Sequence, residues 1–166
     1  MRVFVVYDSK YGNTKAVAES IVQGLTEEGI ETGIGYAKEV EPRNLLFYDA
    51  LIIGAPNHMG KPSRSINKFV DSLAGIQLNA KTAAAFDTYF QRGRYFEKAM
   101  QKLEKHINQR LPNLALVTPG LSVRVRGVNG PIVEGELPKA RKFGKKFASH
   151  LNELKADYTL SKLNSS

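Results

Sequence analysis

Short apolar runs alternate with stretches of helical period along this chain. Arg2–Tyr7 is β-branched and apolar, runs into a Gly-containing turn, and reads as a buried first strand rather than a leader peptide. Thr14–Glu28 places Val17, Ala18, Ile21, Val22 and Leu25 on one helical face. Glu31–Tyr36 is a weaker strand, and Ala50–Gly54 a fully apolar one. Ser63–Leu73 carries Ile66, Phe69, Val70 and Leu73 at helical spacing, and Lys81–Phe86 is a fourth strand. Arg94–Leu111 is a long amphipathic helix through Phe96, Ala99, Met100, Leu103 and Ile107. Leu114–Thr118 is a fifth strand. Glu136–Leu154 is the last helix, with Leu137, Ala140, Phe143, Phe147 and Leu151 turned inward.

The predicted order is β-α-β-β-α-β-α-β-α. Between the second and third strands, Pro42 argues against a long helix, and a short helical turn is expected near Asn44. Apolar strands alternating with helices imply a parallel sheet covered on both faces. Ligands of such sheets bind outside the carboxyl ends of the strands, so the loops after strands one, three and four are the places to look. Leu121–Arg126 alternates like a strand, with Arg124 and Arg126 on one face. It reads as a small extra edge strand or as part of an interface. One domain over 1–154 and a polar tail over 155–166, prone to fraying, complete the division.

Composition narrows the options. At 166 residues the chain is long enough for one well-buried core. It has no cysteine, which removes disulfides, thiolate metal sites and thiol nucleophiles and fits a cytoplasmic setting. No apolar run is long enough to span a membrane. No cluster of metal-ligating residues stands out, and His106 and His150 fall on polar helix positions. The net charge of +8 favours anionic partners, although most of the cations scatter along helical faces, where a solvated surface accounts for them.

The first loop, Asp8-Ser9-Lys10-Tyr11-Gly12-Asn13-Thr14, offers hydroxyls and a glycine directly before a helix. Helix-start amides carry partial positive charge and suit a phosphate. Asn13 or Thr14 acting as an ordinary helix cap is the alternative. The Gly-Lys-Ser/Thr element of a nucleotide-triphosphate loop and the three spaced glycines of a dinucleotide loop are both missing.

Ser9-Lys10-Tyr11-Gly12-Asn13-Thr14 resembles the phosphate loop of flavodoxins. Three further segments continue the resemblance, each where a strand ends or the last helix begins: Gly54-Ala55-Pro56-Asn57-His58-Met59-Gly60, Ala85-Phe86-Asp87-Thr88, and Gly130-Pro131-Ile132-Val133-Glu134-Gly135-Glu136-Leu137. Together they cover nearly the whole chain, from about Arg2 to Leu154. The resemblance implies a three-layer α/β/α fold with a five-stranded parallel sheet of order 2-1-3-4-5, the established order of that class, and flavin mononucleotide (FMN) at the switch point.

Ser9, Tyr11, Asn13 and Thr14 would bond the phosphate, with Lys10 and Gly12 giving backbone amides. Pro56, Asn57, His58, Met59 and Gly60 would flank the flavin on one side. Asp87, Thr88, Tyr89 and Phe90 would flank it on the other, with Gly93 permitting the turn. The chain departs from the family in having no Trp to stack from the second loop. His58 and Met59 stand there instead, and Tyr89 or Phe90 would stack from the third loop.

An electron carrier needs no acid-base pair, because the flavin does the chemistry. The positive charge predicts a higher reduction potential than in acidic relatives. One unit charge about 10 Å from the ring is worth about 0.4 to 1.7 kcal/mol. Lys10, Lys61, Arg64, Arg92 and Arg94 are the cations beside the expected flavin loops. A carrier of this charge points to an acidic redox protein, such as a ferredoxin-like one, or to a nicotinamide-linked reductase as partner. The alternatives are a flavin-dependent NAD(P)H:quinone-type reductase and a non-redox scaffold binding anions or nucleic acid through Lys139, Arg141, Lys142, Lys145 and Lys146. The absence of stacking aromatics beside those five weakens the nucleic-acid alternative.

Overall fold

The computed structural model describes residues 1–90 and 98–163. Strands β1 (Arg2–Tyr7), β2 (Glu31–Tyr36), β3 (Ala50–Pro56), β4 (Thr82–Tyr89) and β5 (Ala115–Arg124) form one parallel sheet of order β2-β1-β3-β4-β5. Helices α1 (Asn13–Glu27) and α4 (Glu136–Leu163) cover one face. Helices α2 (Arg64–Leu73) and α3 (Lys98–Arg110), with a short 3-10 helix at Pro42–Phe47, cover the other.

The two-residue period of the strands sorts their side chains between these layers. On β1 and β3, Val3, Val5, Ala50 and Ile52 pack under α1 and α4. Val6, Leu51, Ile53 and Ala55 pack under α2 and α3. The predicted stripes are buried as expected: Val17, Ala18, Ile21 and Leu25 of α1, and Ala99, Met100, Leu103 and Ile107 of α3. Leu137 departs from its stripe, being 37% exposed at the start of α4.

Glycine sets how closely α1 and α4 pack. A Cβ on Gly24 would lie 2.0 Å from the Arg141 carbonyl oxygen, and one on Gly144 would lie 2.2 Å from that of Ile21. The two backbones therefore touch directly at this crossing.

Several boundaries differ from the sequence pattern. β3 runs on through Pro56, and β4 through Asp87, Thr88 and Tyr89, where the pattern predicts loop. Those residues pair with Ala55 and Pro56 on one side and with Ser122, Val123 and Arg124 on the other. Leu121–Arg124 is not a separate edge strand but the second half of β5. Ala84 pairs with Val117 and Phe86 with Leu121, so Thr118-Pro119-Gly120 is an irregularity within one strand. Pro119 has no N–H to give a ladder, which is why the alternation breaks there. Gly120 accommodates the break, its N–H donating to Glu104 Oε1 at 2.7 Å.

The residues expected to fray continue α4 to Leu163. The segment has no proline or glycine to stop it, although packing against the body ends at Leu151 and 152–163 lie in solvent. Gly93, Arg92 and the predicted helix start from Arg94 through Phe96 lie outside the described residues.

Candidate functional site

The carboxyl end of the sheet gathers four loops around one small, open cleft of about 70 Å³. The first loop leaves the sheet once the Asp8 N–H has bonded Gly54 O at 3.1 Å. It then curls so that Gly12 N donates to Ser9 Oγ at 3.0 Å, with Gly12 in the left-handed region at φ 87°. That conformation strongly favours glycine.

Helix α1 begins with no side-chain cap and no acidic residue in its first turn. Its first amides have no carbonyl within the helix to bond. The start of α1 thus presents donors and partial positive charge to the cleft, flanked by Ser9, Lys10, Tyr11, Asn13 and Thr14. Of the two readings left open by the sequence, a cap on α1 by Asn13 or Thr14 is absent. Thr14 Oγ1 instead lies 2.9 Å from Thr88 Oγ1, a buried contact joining the first loop to the end of β4.

The second loop is a tight reversal. His58 N donates to Lys61 O at 2.8 Å, Lys61 N donates back to His58 O at 3.1 Å, and Asn57 bridges Pro62. Both central residues, Met59 at φ 52° and Gly60 at φ 76°, have positive φ, as in a type I′ turn. Gly60 adopts this freely and Met59 does not. Asn57 locks the turn from within, its Oδ1 accepting from Gly60 N at 2.8 Å, and Lys102 Nζ holds Gly60 O at 2.7 Å from α3. The turn leaves Met59 79% exposed beside the cleft.

The remaining walls come from β4 and from the segment after β5. Thr88 of β4 and Phe90 just beyond it line the cleft, with Val125 and Val128 from the segment after β5. The Val125–Ile132 segment folds back on itself through the antiparallel bridge between those two residues. Its Gly130, at φ 93°, meets the first loop so closely that a Cβ would lie 2.5 Å from Asn13 Oδ1. Val125 and Val128 were missed by the sequence reading, which considered the loops after strands one, three and four. The signal was available, because the turn-rich Gly127-Val128-Asn129-Gly130-Pro131 also follows a parallel strand and must emerge at the same edge.

Of the residues singled out from the sequence, Ser9, Lys10, Tyr11, Asn13, Thr14, Pro56, Asn57, His58, Thr88 and Phe90 line the cleft together. Gly12 shapes the loop behind them. Met59, Gly60, Tyr89 and Asp87 do not line it, so of the two candidate aromatics it is Phe90 that borders the space. Asp87 is 3% exposed, and it belongs to the opposite face of β4 from Thr88. Burial pushes its pKa up to about 6; the Ser122 hydroxyl opposes this and the nearby Glu104 charge adds to it. Its Oδ1 has no hydrogen-bond partner.

Charges at the start and along the outer face of α4 are largely spent within the chain. Glu27 pairs with both Arg141 and Lys145, and these contacts hold its carboxylate below the ordinary range. Glu136 bonds Lys139 at 2.6 Å and the Arg124 N–H at 3.0 Å. Burial would raise the Glu136 pKa, but these bonds outweigh it and leave it lowered. Three of the five cations proposed for a nucleic-acid surface are therefore already paired. Among the described residues no group of His, Asp and Glu is placed to hold a metal ion, and no helix is long and apolar enough to cross a membrane.

Comparison with known proteins agrees with this geometry. Residues 5–117 match the family model for flavodoxin. A flavodoxin of Aquifex aeolicus is 33% identical over 91 residues, covering 52% of this chain and 49% of that protein. An NAD(P)H dehydrogenase (quinone) of Methylocella silvestris is 29% identical over 109 residues, covering 51% and 55%. The chain thus spans about half the length of the curated relatives it matches. In fold, a flavodoxin structure from the domain Archaea superposes with a TM-score of 0.77 at 23% identity, over 92% of this chain and 99% of that one. With a family match over more than half its length and the sheet order β2-β1-β3-β4-β5, the chain belongs to the flavodoxin family.

Proposed function

We propose that the cleft binds FMN by its phosphate and that the chain uses it to carry electrons. The observation that carries this reading is the uncapped start of α1, with its donors unpaired within the helix and facing a cleft bordered by Ser9, Asn13 and Thr14. The residues fit the group. The first-loop hydroxyls and amides suit a dianionic phosphate, Lys10 adds a charge-assisted contact, and Pro56, His58 and Phe90 supply apolar and aromatic walls for a ring. When bound, the flavin supplies the redox chemistry. The protein's part is to hold the phosphate, limit water at the ring and set the local charge. The positive surroundings favour a reduced, negatively charged flavin, and an acidic redox protein is the partner that suits them. A chain without cysteine suits a cytoplasmic carrier.

The test is the visible spectrum of the purified protein before and after incubation with excess FMN and desalting. Retained flavin bands are expected. A protein that stays colourless, with phosphate-loop variants indistinguishable from the parent, sinks the reading.

A second reading, a flavin-dependent NAD(P)H:quinone-type reductase, has one observation in its favour: matched relatives carry the name NAD(P)H dehydrogenase (quinone). Oxidation of NADPH or NADH by the FMN-loaded protein with a quinone, at a rate well above free FMN, would favour it over simple carriage.

A further inference from the structure

Both helical layers carry paired and unpaired cations, but only on one of them do the unpaired cations lie beside the cleft. On the α1/α4 side, Glu27 and Glu136 neutralise Arg141, Lys145 and Lys139. On the α2/α3 side a groove runs between the helices, lined by Lys61, Arg64, Asn67, Lys102, Lys105 and His106. Among the described residues Lys61, Arg64 and Lys105 form no ion pair, and all three are exposed. Asp71 stands at the far end of this layer and is already engaged, with Arg110 at 2.8 Å and His106 at 3.1 Å. Free cations held together cost repulsion, and among the described residues no carboxylate pairs with these three.

This groove adjoins the cleft. Lys61 closes the second-loop turn, and Lys102 reaches from α3 to hold its Gly60 carbonyl. Exposed Met59 sits at the tip of that same turn. An apolar contact point beside a positively charged rim is the anatomy of a transient docking surface, in which charge steers the encounter and desolvated apolar contact holds it. Electrons pass only over short distances, so a partner must dock near the cleft.

We propose that the α2/α3 groove, with Met59 at its edge, is the docking surface for an acidic redox protein. The proposal rests on the FMN reading for the redox character of the partner. The surface itself rests on the unpaired cations. A carboxylate-rich protein face pairs with Lys61, Arg64 and Lys105, brings its redox centre against the second loop, and leaves the opposite helical layer uncovered.

The experiment uses calorimetric titration of the full chain with a strongly acidic [2Fe–2S] ferredoxin as probe. Two charge-reversal variants are compared, R64E/K105E in the groove and K142E/K146E on the wet face of α4. Each replaces two cations by two anions, so both take the net charge from +8 to +4. An acidic residue at the first position of α2 suits the helix dipole, so Arg64→Glu is compatible with folding.

R64E/K105E is expected to weaken binding by roughly tenfold or more, and K142E/K146E by less than about twofold. Raising ionic strength from about 0.1 M to about 1 M shortens the screening length from about 10 Å to about 3 Å and should abolish binding. Equal weakening by both variants, or none by either, overturns the proposal. So does displacement of the ferredoxin by NADPH and not by NADH, which would assign the groove to a phosphate. FMN content is read from the spectrum of each sample. Absence of FMN with the binding pattern intact would sink the cofactor reading and leave the surface standing.

Discussion

The hydroxyls of Thr14 and Thr88 lie 2.9 Å apart in the interior, one at the start of α1 and the other near the end of β4. Their residues are 74 positions apart in sequence. The bond fixes the first loop against the third, and so sets the width of the cleft that both loops line.

Removing one member of that pair leaves the other buried without a partner, at a cost of about 1 to 3 kcal/mol. Thr88→Val is therefore expected to lower the stability of the FMN-free protein by that amount in urea titration. The double variant T14V/T88V should recover much of the loss, because neither hydroxyl is then stranded. Equal and additive losses would show that the two hydroxyls are not coupled.

Asp87 makes stability depend on pH with a definite sign. Its pKa stands at 3.8 in an unstructured chain and about 6 in the fold, mainly through burial. The fold therefore keeps a proton that the unfolded chain releases. The contribution is fully present below about pH 4 and falls away as pH rises towards 6. At about 1.4 kcal/mol per unit the total is on the order of 3 kcal/mol. Asp87→Asn, which retains an acceptor for Ser122, should be more stable than the parent above pH 6 and should flatten the profile between pH 4 and 6. A parent whose stability does not fall across that interval would refute the assignment.

Gly24→Ala sets two effects against each other. Helix propensity alone favours alanine by about 1 kcal/mol. The new methyl, however, would lie 2.0 Å from the Arg141 carbonyl oxygen, which is backbone and has no rotamer to yield. Overpacking of this kind costs about 1 to 3 kcal/mol and here has to move a whole helix. A net loss of stability is expected for Gly24→Ala and likewise for Gly144→Ala. Gly75→Ala is the control, since nothing lies within 4 Å of its added Cβ. Thermal melts that rank Gly24→Ala at or above the parent would contradict the close crossing of α1 and α4.

Met59 holds a positive φ of 52° and buries little of its side chain. The conformation costs about 1 to 2 kcal/mol for an L-residue with a Cβ. Met59→Gly should therefore stabilise the FMN-free protein, by up to about 1 kcal/mol after the added freedom of the unfolded glycine is subtracted. Strain kept at an exposed position suits a functional contact. Ferredoxin binding is accordingly expected to weaken in the variant whose fold is firmer. Unchanged binding would show that the Met59 side chain has no part in docking.

The strength of the fold signal came from repetition. Ala50–Gly54 is apolar at every position, and Val17, Ala18, Ile21 and Leu25 repeat at helical spacing, so periodicity alone marked the buried strand and the inward helix face. Parallel strands alternating with helices then forced the ligand-binding loops to one edge. For that reason ten of the residues singled out from the sequence meet in the cleft.

Other features depend on partners distant in the chain. Asp87 and Thr88 read as loop because the apolar run ends at Phe86 and aspartate disfavours strands, yet they are held as strand by Ala55 and Pro56 on one side and Ser122 and Val123 on the other. Which face each occupies decides that Thr88 lines the cleft while Asp87 is buried without a full set of partners. The choice of Phe90 over Tyr89 is a matter of one residue of register, which local pattern does not fix.

The sequence by itself determined the layers, the strand order through its family likeness, and the edge where chemistry belongs, because these follow from periodicity and chain connectivity. Only the tertiary structure decided that Lys139, Arg141 and Lys145 of α4 are spent on Glu27 and Glu136, while Lys61, Arg64 and Lys105 form no ion pair among the described residues. Composition counts charges, whereas pairing depends on which side chains the packed helices bring within a few ångströms of one another.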